Sequence, residues 1–198
     1  EPMLYIINSK ANMNNNDIVV SANGTGVYMT GNSTFSGWNN MTLNSGSTGI
    51  YVENSKATID GKNITGTANK AKGIVAINSD VTNKANMQFS DDDSIGIFSR
   101  NNSGSAKNIV NTGNIDITGE RSIAAYLEGT SDQTFENSGT INVDKTTTSV
   151  KNDSTVGIYA QNGSKINVKN SGTINVGESS FGIYSLSENG NVETTGSS

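Results

Sequence analysis

The 198-residue chain contains no histidine and no cysteine, so its reactive side chains reduce to six tyrosines, thirteen lysines and arginines, and eighteen carboxylates. Without imidazole there is no Ser-His-Asp relay and no ordinary histidine zinc site. Without thiols there is no disulfide framework, thiolate nucleophile or thiolate metal centre. Carboxylate chemistry and aromatic recognition remain, and the spacing serves the first poorly. Asp91-Asp92-Asp93 is the only acidic run. Three adjacent carboxylates converge on a cation only where the backbone curls, and neither EF-hand spacing nor a Gly-Gly-x-Gly-x-Asp repeat accompanies them. A solvated corner is expected there, with no metal and no cofactor. Glycoside hydrolysis needs two carboxyl groups about 5 to 9.5 Å apart, yet the motif position that holds Asp116 holds Asn142 and Asn175 in later copies. Arginine occurs only at 100 and 121, too few for a lyase that neutralises a uronate with guanidinium.

The aromatics are better organised. Gly26-Val27-Tyr28-Met29, Gly49-Ile50-Tyr51-Val52, Gly73-Ile74-Val75-Ala76, Gly96-Ile97-Phe98-Ser99, Gly157-Ile158-Tyr159-Ala160 and Gly182-Ile183-Tyr184-Ser185 repeat one tetrapeptide, and Met3-Leu4-Tyr5-Ile6 and Ala124-Ala125-Tyr126-Leu127 are degenerate copies. Their starts step by 23, 23, 24, 23, 28, 33 and 25 residues. A period near 23 with two expanded steps describes coils of fixed girth carrying surface insertions. Asn8-Ser9-Lys10-Ala11 and Asn54-Ser55-Lys56-Ala57 fall at the same offset from their starts, which makes a chance pattern very unusual.

These copies need elements to hold them. A second motif recurs as Asn111-Thr112-Gly113-Asn114-Ile115-Asp116-Ile117, Asn137-Ser138-Gly139-Thr140-Ile141-Asn142-Val143 and Asn170-Ser171-Gly172-Thr173-Ile174-Asn175-Val176, with shorter relatives at Asp17-Ile18-Val19-Val20, Asn40-Met41-Thr42-Leu43 and Asn63-Ile64-Thr65-Gly66. Apolar residues two apart behind a turn are strand periodicity, and a run such as Ser164-Lys165-Ile166-Asn167-Val168 supplies a third strand. No segment shows sustained helical spacing. Three short strands per repeat predict an all-β chain: a right-handed parallel β-helix of about eight coils, each strand pairing with its copy about 4.8 Å away, for a height of roughly 38 Å. The whole chain, 1–198, is expected to be one such segment.

That geometry explains an otherwise odd composition. Asn, Ser, Thr and Gly fill half the chain, hydrophobic residues make up 32% and aromatics 6%, a balance that elsewhere suggests disorder. A narrow prism needs only about half a dozen inward apolar side chains per coil, each contributing roughly 1.5–3 kcal/mol when fully buried. The net charge of −5 and pI near 4.7 argue against nucleic acid, whose phosphates demand a basic face. No apolar run approaches the ~20 residues of a membrane helix.

Within the tetrapeptide, Ile95, Ile123, Val156 and Phe181 precede the Gly or its Ala replacement; Ile97, Ala125, Ile158 and Ile183 follow it; Ser99, Leu127, Ala160 and Ser185 lie two further on. Strict alternation puts all three columns inside. The Gly column and the rings of Tyr5, Tyr28, Tyr51, Phe98, Tyr126, Tyr159 and Tyr184 then face out, interrupted by Val75. Such a column either packs over exposed glycine backbone and shields the sheet or forms an aromatic surface on which a sugar or a partner protein stacks. Five residues after each start come Asn8, Gly31, Asn54, Asn78, Asn101, Gly129, Asn162 and Ser187, read as a left-handed corner whose Asn side chains also bond to neighbouring coils. The 33-residue step carries a surface insertion near 144–155, where Asp144 to Asp153 replace a five-residue connection; insertions leave a solenoid through one corner and are where specificity sits. The other surplus, Asn101 to Ser105, reads as a flexible corner. Candidate ligand-binding residues are therefore Tyr126, Tyr159, Tyr184, Tyr51 and Tyr28 on the face, and Asp144, Lys145 and Lys151 on the ridge.

The pairing of Asn-Ser-Gly-Thr-Ile-Asn-Val with Gly-Ile-Tyr, as in Asn170 to Val176 and Gly182 to Tyr184, resembles passenger domains of type V autotransporters, most of all the large Asn-rich fusobacterial adhesins. The likeness spans Met3 to about Val192 and concerns repeat style. It implies a non-enzymatic passenger segment displayed on the cell surface, anchored in the outer membrane only through a C-terminal barrel beyond this sequence. The implied partner is a host-cell or bacterial surface glycan or protein. No binding residue transfers by motif. As a monomeric piece of a longer rod, it would expose strand edges prone to end-to-end association. The alternatives are a carbohydrate-active β-helix enzyme, pectinase-like or a tailspike, which needs converging carboxylates, and an ice- or mineral-binding Thr array, which lacks the necessary regularity.

Overall fold

The computed structural model describes residues 1–144, 155–161 and 165–197. Every strand pairing among them is parallel, and no helix occurs among the described residues. The tetrapeptide strands, among them Leu4–Ile7, Lys72–Ile77, Ile95–Arg100, Ile123–Glu128, Val156–Gln161 and Phe181–Leu186, stack in order with their third-row counterparts in one 14-stranded sheet. Two rows share that sheet because Thr25–Ser36 and Thr48–Asp60 run unbroken around a corner, with a register shift between Thr30 and Gly31. The second motif forms a separate seven-stranded sheet from Ile18–Val20 to Thr173–Val176. The chain is thus a parallel β-helix of seven full turns with an eighth begun, where the repeat count alone indicated eight.

Interior columns follow the sequence in two rows. Val27, Ile50, Ile74, Ile97, Ala125 and Ile158 are at most 1% exposed, and the second sheet contributes Met41, Ile64, Met87, Ile115 and Ile141. The bore is less uniformly aliphatic than expected: Phe35, Phe89, Phe135 and Trp38 are fully buried, and Phe35 stacks on Trp38 at 5.5 Å. Gly61 is where the next coil passes Trp38; any Cβ there would lie within 2 Å of the indole.

The tetrapeptide itself departs from strict alternation. A Cβ on Gly49 would meet the side chains of Met41 and Leu43, and one on Gly73 those of Met87 and Phe89. The Gly column therefore faces the bore, not the solvent, and Ala124, which replaces it once, is fully buried. The strand registers pass over this position, pairing Ile95 with Ile123 and then Ile97 with Ala125. The offset is the same on both sides, so no residue is inserted between coils; instead alternation breaks in step in each coil, and this shared bulge at the Gly puts two consecutive residues inside and reverses the parity before it. Ile95, Ile123 and Val156 are accordingly partly exposed and outside the core, and Phe181 is 47% exposed. Their assignment to the interior is corrected.

Two corners close the coil differently. Asn8, Gly31, Asn54, Asn78 and Gly129 take positive φ as expected, and the Asn8 and Asn78 side chains accept bonds from the Asn32 and Asn102 amides one coil on. Asn101 does not. It is fully buried, donates to the Ser105 and Asp132 carbonyls at 2.7 and 2.9 Å, and accepts from Ser103. Gly104 and Thr130 are tied to Ser131 and Asn102. The segment read as a flexible corner is a hydrogen-bonded loop. At the other corner Asn83, Asn111, Asn137 and Asn170 turn inward. The first three amides each donate to the next Asn at 2.9 Å and that of Asn170 to the Thr194 hydroxyl at 3.0 Å, and all four donate to the carbonyl two residues ahead, so the buried polar groups are satisfied along the axis.

Candidate functional site: the outer aromatic face

Between the bulge and the corner the strand alternates normally, and this sends the ring position outward. Tyr28, Tyr51, Phe98, Tyr126 and Tyr159 are partly exposed, Tyr5 and Tyr184 are 53% and 38% exposed, and Val75 interrupts the column at 8%. The register makes each ring the neighbour of the next. Two ladders result. Tyr5, Tyr28 and Tyr51 form a shorter one, tilted at its first step. Phe98, Tyr126, Tyr159 and Tyr184 form a longer one, with centroids 5.5, 5.2 and 5.3 Å apart and planes 25°, 16° and 7° from parallel.

Those separations determine what the ladder can offer. Carbon contacts lie at about 3.5–4 Å, so near-parallel rings 5.3 Å apart are slipped by roughly 4 Å and overlap like roof tiles. Part of each face is covered by its neighbour, and part is open together with the outer edge. The rings stack on one another, not over glycine backbone, since the glycines are turned inward.

The hydroxyl ends are held by the next outward column. The Tyr28 hydroxyl donates to Glu53 at 3.1 Å, the Tyr159 hydroxyl donates to the Gln161 oxygen at 2.9 Å, and the Gln161 amide donates to Tyr126. Arg100 lies 5.2 Å from the Phe98 centroid and bonds Glu128 at 3.0 Å. Burial, reinforced by the Glu53 or Glu128 carboxylate nearby, pushes the phenols of Tyr28, Tyr51 and Tyr126 above their ordinary value of about 10. They remain neutral hydrogen-bonding groups at physiological pH.

The five tyrosines expected at the site thus share one outer face but fall on two ladders, Tyr28 and Tyr51 on one and Tyr126, Tyr159 and Tyr184 on the other. Asp144 is exposed just after Thr140–Val143, its amide bonded to the Ile117 carbonyl. Lys145, Lys151 and the rest of the ridge lie outside the described residues. The acidic run is engaged by a neighbouring coil: Arg121 pairs with Asp93 at 3.0 Å and Asp92 at 3.6 Å. Among the described residues no cluster of carboxylates suits a metal ion. Asp116 accepts from Asn142 at 2.6 Å and Asn142 from Asn175 at 2.8 Å, the amide column anticipated from the motif.

The sequence reading missed the column of Ile95, Ile123, Val156 and Phe181 beside the longer ladder. Phe181 meets Tyr184 edge-on at 5.6 Å. A signal was present, for the same position in earlier coils holds Thr25, Thr48 and Lys72, and a lysine does not belong in a dry bore.

Fold and face together define a parallel β-solenoid whose outer wall carries a laddered aromatic surface. Compared with protein-family models, curated proteins and solved structures, the chain matches none.

Proposed function

We propose that the chain is a non-enzymatic adhesive segment, a stiff β-helical scaffold that displays a binding surface at the cell exterior, as the resemblance to autotransporter passengers suggests. The observation that carries this reading is the longer aromatic ladder: four rings stacked in register and partly open on the outer wall. Recurring partly exposed aromatics supply large contact area at low entropic cost, which suits recognition of a surface glycan or protein. Continuous hydrogen bonding along the axis suits the mechanical role, since successive coils are joined by backbone pairing throughout and, from Asn83 to Asn170, by Asn side chains as well.

The test compares binding of the chain to a glycan array and to cells with that of a variant carrying Tyr126→Ser, Tyr159→Ser and Tyr184→Ser, its β-content verified by circular dichroism. Binding by the parent and loss in the folded variant is expected. Undiminished binding by the folded variant refutes the ladder as the contact surface.

A further inference from the structure

The outward column beside the ladder supplies an internal comparison. At one structural position, immediately before the bulge, the chain places Thr25, Thr48 and Lys72 in three successive coils and then Ile95, Ile123, Val156 and Phe181 in the next four. The first three show that folding does not require an apolar residue there. The change begins where the aromatic column resumes after Val75, so two apolar columns run side by side over the same four coils. Exposed apolar area that packing does not need marks a contact surface.

Its dimensions restrict the occupant. Four coils at about 4.8 Å give a strip roughly 19 Å tall, and the neighbouring columns make it about as wide as an α-helix, ~10–12 Å. That is on the order of 200 Å², far below the ~800 Å² per partner of a standard globular interface. Three of its four strands are paired on both sides, and Phe181–Leu186 is the end strand of the sheet; strand addition there would lengthen the sheet along its axis and leave the outward face of the strip uncovered. A helix laid along the solenoid axis, with a pitch of 5.4 Å, advances one turn per coil and drifts only about 2 Å over the strip. Its i, i+3, i+4, i+7 stripe would meet one coil at a time.

The flanks determine its charge. Asp91, Asp92, Asp93, Glu120 and Glu178 precede the strip strands and Glu128 follows one, against Arg100 and Arg121, both in ion pairs, and Lys72, the register neighbour of Ile95 at the head of the column; acidic groups prevail. Anionic sugars are repelled, and sugar hydroxyls laid on an Ile and Val column would lose hydrogen bonds without replacement. We propose that the strip formed by Ile95, Ile123, Val156 and Phe181 with the Phe98 to Tyr184 ladder docks a basic amphipathic α-helix of about three to four turns on a partner protein. This rests on the adhesive reading and names the partner class for that face.

The experiment uses fluorescence anisotropy with a synthetic amphipathic Leu/Lys helical peptide, a scrambled peptide of identical composition, and a Leu/Gln analogue. The protein variant carries Ile95→Thr, Ile123→Thr and Val156→Thr, the residue the chain itself uses in the second and third coils, so folding is retained and charge is unchanged. The amphipathic Leu/Lys peptide is expected to bind the parent at least tenfold more tightly than the scrambled peptide does, and at least tenfold more tightly than it binds the Thr variant. Weaker binding of the Leu/Gln analogue, and weakening by salt, are also expected. Equal binding of the scrambled peptide, or equal binding to parent and Thr variant, overturns the proposal. If the peptides fail while cells or neutral glycans bind the parent through the ladder, the helix is wrong and the adhesive reading stands. If nothing binds, both fall.

Discussion

Ile95 and Ile97 lie two residues apart in one strand, so unbroken alternation gives them the same surroundings. The bulge at Gly96 separates them: Ile97 is 1% exposed in the core, and Ile95 is partly exposed on the outer wall. Trimming Ile97 to Ala removes three carbons at ~0.8 kcal/mol each, roughly 2.4 kcal/mol, and leaves a void in a bore closed on all sides that adds on the order of 1 kcal/mol. The total is about 3.5 kcal/mol. Trimming Ile95 opens no closed void and forfeits part of the transfer free energy, about 1 kcal/mol. In urea, with a slope near 2 kcal/mol per molar, the midpoints should fall by about 1.7 M and 0.5 M respectively. Both substitutions sit in one coil and report on the same cooperative unit, so departures from two-state unfolding affect them alike. Equal costs, or a larger cost at Ile95, would falsify the bulge and with it the apolar strip.

Two further perturbations test the polar ladders and the phenols. Asn137→Ala breaks the bonds to Asn170, Gly139 and Asn111 and strands buried partners, costing about 3–4 kcal/mol in urea unfolding, whereas Asn142→Ala on the outer wall should cost less than about 1 kcal/mol; similar values would mean that the inner ladder is not buried as described. Because the folded pKa values of Tyr28, Tyr51 and Tyr126 are raised, the stability tied to their neutral form is complete below the unfolded value of about 10 and is lost as pH rises through the folded values. Tyrosinate absorbance should therefore lag that of free tyrosine while thermal stability drops, and titration at the ordinary value without loss of stability would remove burial as the cause.

Much of the fold was legible because parallel stacking turns sequence period into spatial neighbourhood. The repeat starts at Gly96, Ala124, Gly157 and Gly182 name the strands that pair, and the second motif names the facing sheet. The outward rings followed from the same rule. The bulge was hidden because alternation carries no mark of its own interruption; only Lys72, chemically unsuited to the bore, revealed it. The inner Asn column was hidden for a different reason. A single Asn before Ser-Gly reads as a turn former, and its burial becomes affordable only when a copy one coil away completes its hydrogen bonds. The loop after Asn101 misled in the same way, since Ser and Gly there are held by a side chain that composition alone reads as mobile.

The bulge also explains how one wall can vary while the fold stays constant. With the Gly and the two alternate residues after it committed to the bore, the position before the Gly and the ring position carry no interior load. They can hold Thr, Lys, Ile, Phe or Tyr without changing the coil. In the second to fourth coils the position before the Gly holds polar residues beside a short, broken ladder, and in the last four it holds apolar residues beside a continuous one. A stiffening role accounts for the rings, which recur in every coil but that of Val75, because every coil needs the same support, but it does not account for the column before the Gly. Confinement of the paired apolar columns to four consecutive coils instead separates a segment that carries contact from one that carries only length.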